Sequence, residues 1–140
     1  MTKSNSGRPF LPVNIAVLTV SDSRTYETDT SGRTLVERLE AAGHRLADRR
    51  IVKDDFAAIV ATLRAWIADP GVDVVISTGG TGVTGRDVTP EAVRAVMDKE
   101  IEGFSVVFHM VSYQTVGLST MQSRGLAGVA KGTVIFALPG

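Results

Sequence analysis

The chain contains no cysteine. Disulfides, thiolate metal sites and cysteine nucleophiles are therefore excluded. Histidine is scarce: His44 and His109 have neither metal-ligand spacing nor a carboxylate companion, and both are assigned structural roles. Charge of one sign is not in excess, with 15 basic and 15 acidic residues giving a formal net charge of zero. No nucleic acid and no membrane is thus expected as a partner. No apolar run reaches membrane-spanning length. Residues 1–12 (MTKSNSGRPFLP) lack the apolar stretch of a signal peptide, and a cytoplasmic location is expected. No G-x-S-x-G elbow is present, which disfavours a serine hydrolase. Internal repeats and low-complexity segments are also missing. What remains is an ordinary globular composition, 44% hydrophobic and 21% charged over 140 residues. We expect a flexible N-terminal arm over 1–12 and a single domain over 13–140.

NIAVLTV (14–20), VDVVIS (72–77) and TVIFAL (133–138) are short, continuous apolar runs, as in strands buried on both faces. HRLADRRIV (44–52) is a more polar strand suited to a sheet edge. Between them, Leu35, Val36, Leu39 and Ala42 recur at helical spacing, with Gly43 placed as a stop. Phe56, Ile59, Val60, Leu63 and Ile67 line a second helix, capped by Asp54 or Asp55 and closed by Pro70-Gly71. Thr89 and Pro90 read as the N-cap and first position of a third helix. Phe104, Val107, Phe108 and Val111 mark a fourth, and 119–127 a short fifth. Phe104, Phe108 and Trp66 are assigned to core faces. The alternation implies an α/β fold, a mainly parallel sheet with helices on both faces in three layers. Ligands of such sheets sit at the carboxyl ends of the strands, here 21–32, 53–55 and 77–89.

The third of those stretches contains GTGVTGRD (80–87). Gly80, Gly82 and Gly85 spell the dinucleotide fingerprint, but its helix must begin within the glycines, and Pro90 favours a later start. The same residues spell a P-loop with Arg86 in place of Lys and Asp87 in place of Ser or Thr, a different design. A Gly-rich strand-to-helix loop remains, with backbone N–H groups, threonine hydroxyls, an Arg and an Asp. It is suited to cradling a phosphate or nucleotide. The plain alternative is a long turn whose glycines supply positive φ.

The wider run STGGTGVTGRDVTPEA (77–92) resembles the signature of the MoaB/Mog family of molybdenum cofactor biosynthesis proteins. AVLTVSDSR (16–24), DTSG (29–32), IVKDD (51–55), EGF (102–104), QSRGLAGV (122–129) and LPG (138–140) are similar to further family blocks, in family order. EGFSVVFHM and STMQSRGLAGV are closer to the MoaB branch. Family members continue beyond LPG, usually into a last helix, so a further C-terminal segment is expected.

The resemblance implies a MogA/MoaB-like fold and an adenylyl transfer from ATP to molybdopterin with Mg²⁺. It also implies homotrimers or hexamers, with 104–118 as a candidate interface, and other proteins of the pathway as partners. By the same resemblance Asp87 and Asp54 are the catalytic, Mg²⁺-binding carboxylates, with Asp55 an easily confused neighbour. Gly79, Gly80, Thr81 and Gly82 would hold phosphate or pterin groups, and Ser21 and Asp22 would face the same crevice. Ser31 and Gly32 offer an anion site at a helix start or simply a cap. Ser123 and Arg124 lie in a family block, and Arg124 is either a phosphate clamp or a surface ion pair. Arg86 is either a clamp or a solvated charge. Two other functions compete: a non-catalytic molybdopterin-binding or assembly protein, and a dinucleotide oxidoreductase disfavoured by Pro90.

Overall fold

A computed structural model of the chain describes residues 7–140. The first half of the expected arm, residues 1–6, lies outside the described residues. Residues 9–13 carry no regular structure but are tied down: the Phe10 ring lies 5.1 Å from that of His44, whose Nδ1 accepts the Val13 amide at 3.1 Å.

Six strands form one sheet in the order β2-β1-β3-β6-β5-β4. They are β1 (Asn14–Val20), β2 (Arg45–Val52), β3 (Val74–Thr78), β4 (Lys99–Glu100), β5 (Leu126–Ala130) and β6 (Thr133–Leu138). β2, β1, β3 and β6 run parallel, while β5 and β4 add antiparallel pairs. The expected α/β sheet is therefore present, and β2 is the polar edge strand. The expected short helix over 119–127 is corrected. A 3-10 turn covers Gly117–Gln122, and LAGVA becomes β5. β5 is short, and three of its five residues are glycine or alanine, so its own residues carry little strand signal. Its partner and the two-residue turn at Lys131 (φ 48°) and Gly132 (φ 87°) create it.

The helices are α1 (Thr30–Ala41), α2 (Phe56–Ile67), α3 (Thr89–Val96) and α4 (Glu102–Val116). α2 and α3 cover one face. Ile59, Leu63 and Trp66 of α2 and Val93 of α3 pack on Leu18, Val75 and Ile135. α1 covers the other face, with Leu35, Val36 and Leu39 on Ile15, Val17 and Ile76. Phe136, paired with Ile76 in the sheet, meets Phe104 at 5.3 Å and so puts α4 on the α1 side. Trp66 is buried as expected, its Nε1 donating to Asp48 at 3.0 Å. The apolar stripe of α4 is only partly inward. Phe104 and Phe108 are half-buried, but Val107 and Val111 are exposed, and no residue of α4 is fully buried.

One helix start decides between two stated alternatives, and another differs from the reading of the sequence. Asp55 is the cap of α2, accepting the Ala58 amide at 2.9 Å, which leaves Asp54 free of that duty. Thr89 is the first residue of α3 rather than its cap, and its hydroxyl donates to the Gly79 carbonyl at 3.0 Å instead.

Candidate functional site

β1 leads through α1 to β2 on one side, whereas β3 leads to strands on the other. The crevice between the carboxyl ends of β1 and β3 is thus the point where strand order reverses, where open α/β sheets bind ligands. Ser21 and Asp22 leave β1 there, Asp54 leaves β2, and Gly79 and Gly80 leave β3 with positive φ of 99° and 72°. The three stretches expected to converge do so.

The loop 79–88 is anchored from behind by its carbonyls. Gly79 O accepts the Thr89 hydroxyl at 3.0 Å and Gly80 O the Thr89 amide at 3.1 Å. Thr81 O accepts the Arg124 amide and Gly82 O the Arg124 Nε, both at 2.8 Å. In a trans peptide the N–H points opposite to the C=O. The amides of Gly80, Thr81, Gly82 and Val83 are thereby turned away from α3 and Arg124. Among the described residues, those of Gly80, Thr81 and Val83 donate to no internal acceptor. A row of free amides on a Gly-rich loop is an anion cradle. Gly79 is irreplaceable sterically: a Cβ there would run into the Val20 carbonyl.

Four charged side chains surround this cradle. Asp22 Oδ2 accepts from Arg86 Nη2 at 2.6 Å and Nε at 3.2 Å, and Asp22 Oδ1 accepts the Asp54 amide at 3.1 Å. These bonds hold the Asp22 carboxyl below the usual range. The half-buried Asp54 carboxyl is pushed up, first by burial, then by the Asp22 charge, with a smaller push from Asp87. Asp87 Oδ2 accepts the Thr84 hydroxyl at 2.7 Å and the Thr84 amide at 2.9 Å. The hydroxyl, outweighing the effect of burial and helped by the amides of Thr84 and Gly82, holds the Asp87 carboxyl low.

This charge pattern fits a divalent cation. Asp54 and Asp87 repel each other, with Arg86 offsetting the charge at Asp54 and Arg124 that at Asp87. Among the described residues, no three His, Asp or Glu side chains converge to hold a metal by themselves. Mg²⁺ takes as few as one or two carboxylates and completes its shell with water and phosphate oxygens, and Asp54 and Asp87 are the two that could hold it.

On the α1 side of the crevice, a cavity of about 200 Å³ is lined by Ser21, Arg24, Ser31, Thr78 and Gly79. Ser31 lines it. Gly32 does not offer its amide: Asp29, the cap of α1, accepts it at 2.9 Å. Gly32 is there because any Cβ would overlap the Asp29 carboxylate. Ser21 shapes the loop, its Oγ accepting the Ser23 and Arg24 amides. Ser123 has a buried Oγ without a partner.

Asp29 was missed by sequence reasoning. It is 1% exposed and accepts from Thr19 Oγ1 at 2.6 Å and Arg49 Nη2 at 3.1 Å. Its place three residues before Gly32 was a readable cap signal. Its partners on β1 and β2 were not readable. Glu91 was also missed. It pairs with Arg124 Nη1 at 2.5 Å.

The family profile described as "Probable molybdopterin binding domain" matches residues 16–140. The chain is 51% identical over 131 residues to molybdenum cofactor biosynthesis protein B of Escherichia coli (strain K12), covering 94% of this chain and 77% of that protein. Its fold superposes on a crystal structure of a molybdenum cofactor biosynthesis protein B with a TM-score of 0.91 at 46% identity, covering 95% of this chain and 83% of that one. The tungsten cofactor synthesizing protein MoaB from Pyrococcus furiosus aligns with a TM-score of 0.82 at 36% identity, over 92% and 82% of the two chains. The profile and these likenesses extend over the sheet, the switch-point crevice and the anchored glycine loop, and on that ground the chain belongs to the MoaB/Mog family of molybdenum cofactor biosynthesis proteins.

Proposed function

We propose that the crevice binds molybdopterin and Mg·ATP and transfers the adenylyl group from one to the other. A terminal phosphate oxygen of molybdopterin attacks the α-phosphorus of ATP, the bond to the β-phosphate oxygen breaks, and pyrophosphate leaves. The observation that carries this reading is the cradle of free amides at Gly80, Thr81 and Val83 beside Asp54 and Asp87. Transfer at phosphorus demands positioning and charge neutralisation more than covalent chemistry. The loop amides neutralise phosphate oxygens without reorganising, because their carbonyls are already held. Arg86, on an exposed tip, reaches from the loop towards the β1 side and is placed to exchange Asp22 for a phosphate. Asp54 and Asp87 would hold Mg²⁺, which, when bound, neutralises the charge developing on the phosphates. The cavity at Ser21, Arg24, Ser31 and Thr78 is the place for the pterin and its phosphate.

The chain's role in molybdenum cofactor biosynthesis also admits a binding or assembly protein without turnover. The Thr84 bonds to Asp87 favour this second reading, since they make the carboxylate a staple of its own loop. The deciding measurement is formation of adenylylated molybdopterin from ATP and molybdopterin with Mg²⁺. Molybdopterin-dependent turnover is expected. Tight molybdopterin binding with no turnover would establish the binding protein instead.

We also propose self-association, as a homotrimer or hexamer. Val106, Val107, Met110 and Val111 of α4, with Leu118 and Met121 beyond it, expose a contiguous apolar surface that supports an interface between copies. No helix among the described residues is long and apolar enough to cross a membrane. A cytoplasmic location and docking with other proteins of the pathway complete the proposal.

A further inference from the structure

Among the described residues, Arg124 is the one guanidinium that reaches the glycine loop from outside it, and both its edges are engaged. Its Nε donates to the Gly82 carbonyl at 2.8 Å and its Nη2 to the Asp87 carbonyl at 2.9 Å. Nη1 and Nη2 donate to the two carboxylate oxygens of Glu91 at 2.5 and 3.3 Å. Its backbone amide takes the Thr81 carbonyl at 2.8 Å. A phosphate clamp needs two parallel N–H groups on a free edge. One edge here faces two loop carbonyls and the other faces Glu91.

We infer that Arg124, set by Glu91, is a positioning residue that fixes which way the loop's peptides face. The inference rests on the crevice being a phosphate site. Pinning the carbonyls of Thr81, Gly82 and Asp87 forces the amides of Gly82, Val83 and Val88 to the opposite side. The Val83 amide then joins those of Gly80 and Thr81 in the cradle. The Gly82 amide lies against the Asp87 carboxylate, and the Arg124 charge further favours its ionised form. A glycine-rich loop has little intrinsic preference for either peptide orientation. Without an external strut its peptides are free to turn, and an amide that turns exposes a carbonyl to the anion. Glu91 matters because its two carboxylate oxygens hold the fork of Arg124 on the edge opposite the Gly82 carbonyl contact. Glu91 also sits in the first turn of α3, so the strut ties the loop to a rigid element.

The strut and the clamp predict opposite signs for one substitution, Glu91→Gln. A clamp released from its competing carboxylate would bind Mg·ATP as well as before or more tightly. A strut deprived of its anchor should lose Mg·ATP affinity about tenfold, the cost of one displaced charge-assisted contact. Two measurements are needed: calorimetric titration with Mg·ATP, and amide hydrogen exchange over residues 80–88. Glu91→Gln and Arg124→Gln should each speed exchange of the hydrogen-bonded loop amides of Thr84 and Asp87 about tenfold, with exchange in β1 and β3 unchanged. Arg124→Lys, which keeps the charge but not the fork, should behave like Arg124→Gln. Tighter Mg·ATP binding by Glu91→Gln, or loop exchange unaltered in both variants, would overturn the strut. Were the unsubstituted protein itself to bind no Mg·ATP, the phosphate-site reading would fail, while the exchange data would still judge the strut.

Discussion

Arg86 and Asp22, sixty-four positions apart, close the crevice between β1 and β3 with a guanidinium nitrogen 2.6 Å from a carboxylate oxygen. The pair is exposed on both sides, at 68% and 44% of the side-chain surface, so it holds the loops together only weakly. It holds the Arg86 cation towards the β1 side of the crevice.

Arg86→Gln should therefore leave the melting temperature within error of the unsubstituted protein. Mg·ATP affinity should fall about tenfold, as for loss of one charged phosphate contact. Asp22→Asn should do the reverse and raise affinity slightly, since it frees Arg86. Calorimetry and thermal melting check both. Equal affinity in all three proteins would make the ion pair a surface feature only.

Asp87→Asn preserves an acceptor for Thr84 and so should preserve the loop. The charge that, under the proposed function, would face the reacting phosphates is lost. Adenylyl transfer should drop on the order of a hundredfold or more, as for removal of one contact that acts where charge develops. Molybdopterin affinity should change little. The measurement is adenylylated molybdopterin formed per enzyme, beside molybdopterin affinity and melting temperature. A collapse in melting temperature would reassign Asp87 to structure alone.

Asp29→Asn should cost about 3 kcal/mol, because it leaves the Arg49 charge and the Thr19 hydroxyl poorly matched in a buried setting. Burial alone would push the Asp29 carboxyl up, but Thr19, the Gly32 amide and Arg49 outweigh it and hold the carboxyl below its usual range. The folded state thus prefers the ionised form. Its contribution is fully present above the ordinary carboxylate pKa, about 3.9, and is lost as pH falls through the lower folded value. Urea unfolding at pH 7 and pH 3 should show a smaller loss of stability on acidification in Asp29→Asn than in the unsubstituted protein.

Gly79→Ala should cost about 2 kcal/mol or more, since alanine is strained at φ 99° and its Cβ would meet the Val20 carbonyl. Relief would require β3 and β1 to part at the crevice, so anion binding should go with it. Urea unfolding and Mg·ATP titration on one variant test both losses.

Met110→Asp and Val107→Asp place charge on the exposed stripe of α4, at 65% and 59% exposure. If copies meet there, either variant should run as a monomer in light scattering after size exclusion, while the unsubstituted protein runs as a trimer or hexamer. An unchanged mass would move the interface elsewhere.

The apolar runs at 14–20 and 133–138 and the helical stripes of α1 and α2 were legible because each is specified by its own residues: burial on both faces of a strand, or along one stripe of a helix. The glycine-rich strand-to-helix loop was legible for the same reason, since glycine content and the late Pro90 are local properties. β5 was not, because an alanine- and glycine-rich segment becomes a strand only through its neighbours. Nor could local chemistry choose between Asp54 and Asp55, two adjacent carboxylates that are equally good caps. The fold made Asp55 the cap and turned Asp54 to Asp22 and Asp87. The sequence by itself determined the sheet class and which residue types crowd the strand ends. Tertiary structure alone decided which carboxylates share a field, which carbonyls Arg124 and Thr89 hold, and that Asp29 is buried on Arg49. Those pairings join residues far apart in the chain, and no local preference of either partner encodes where the other will be.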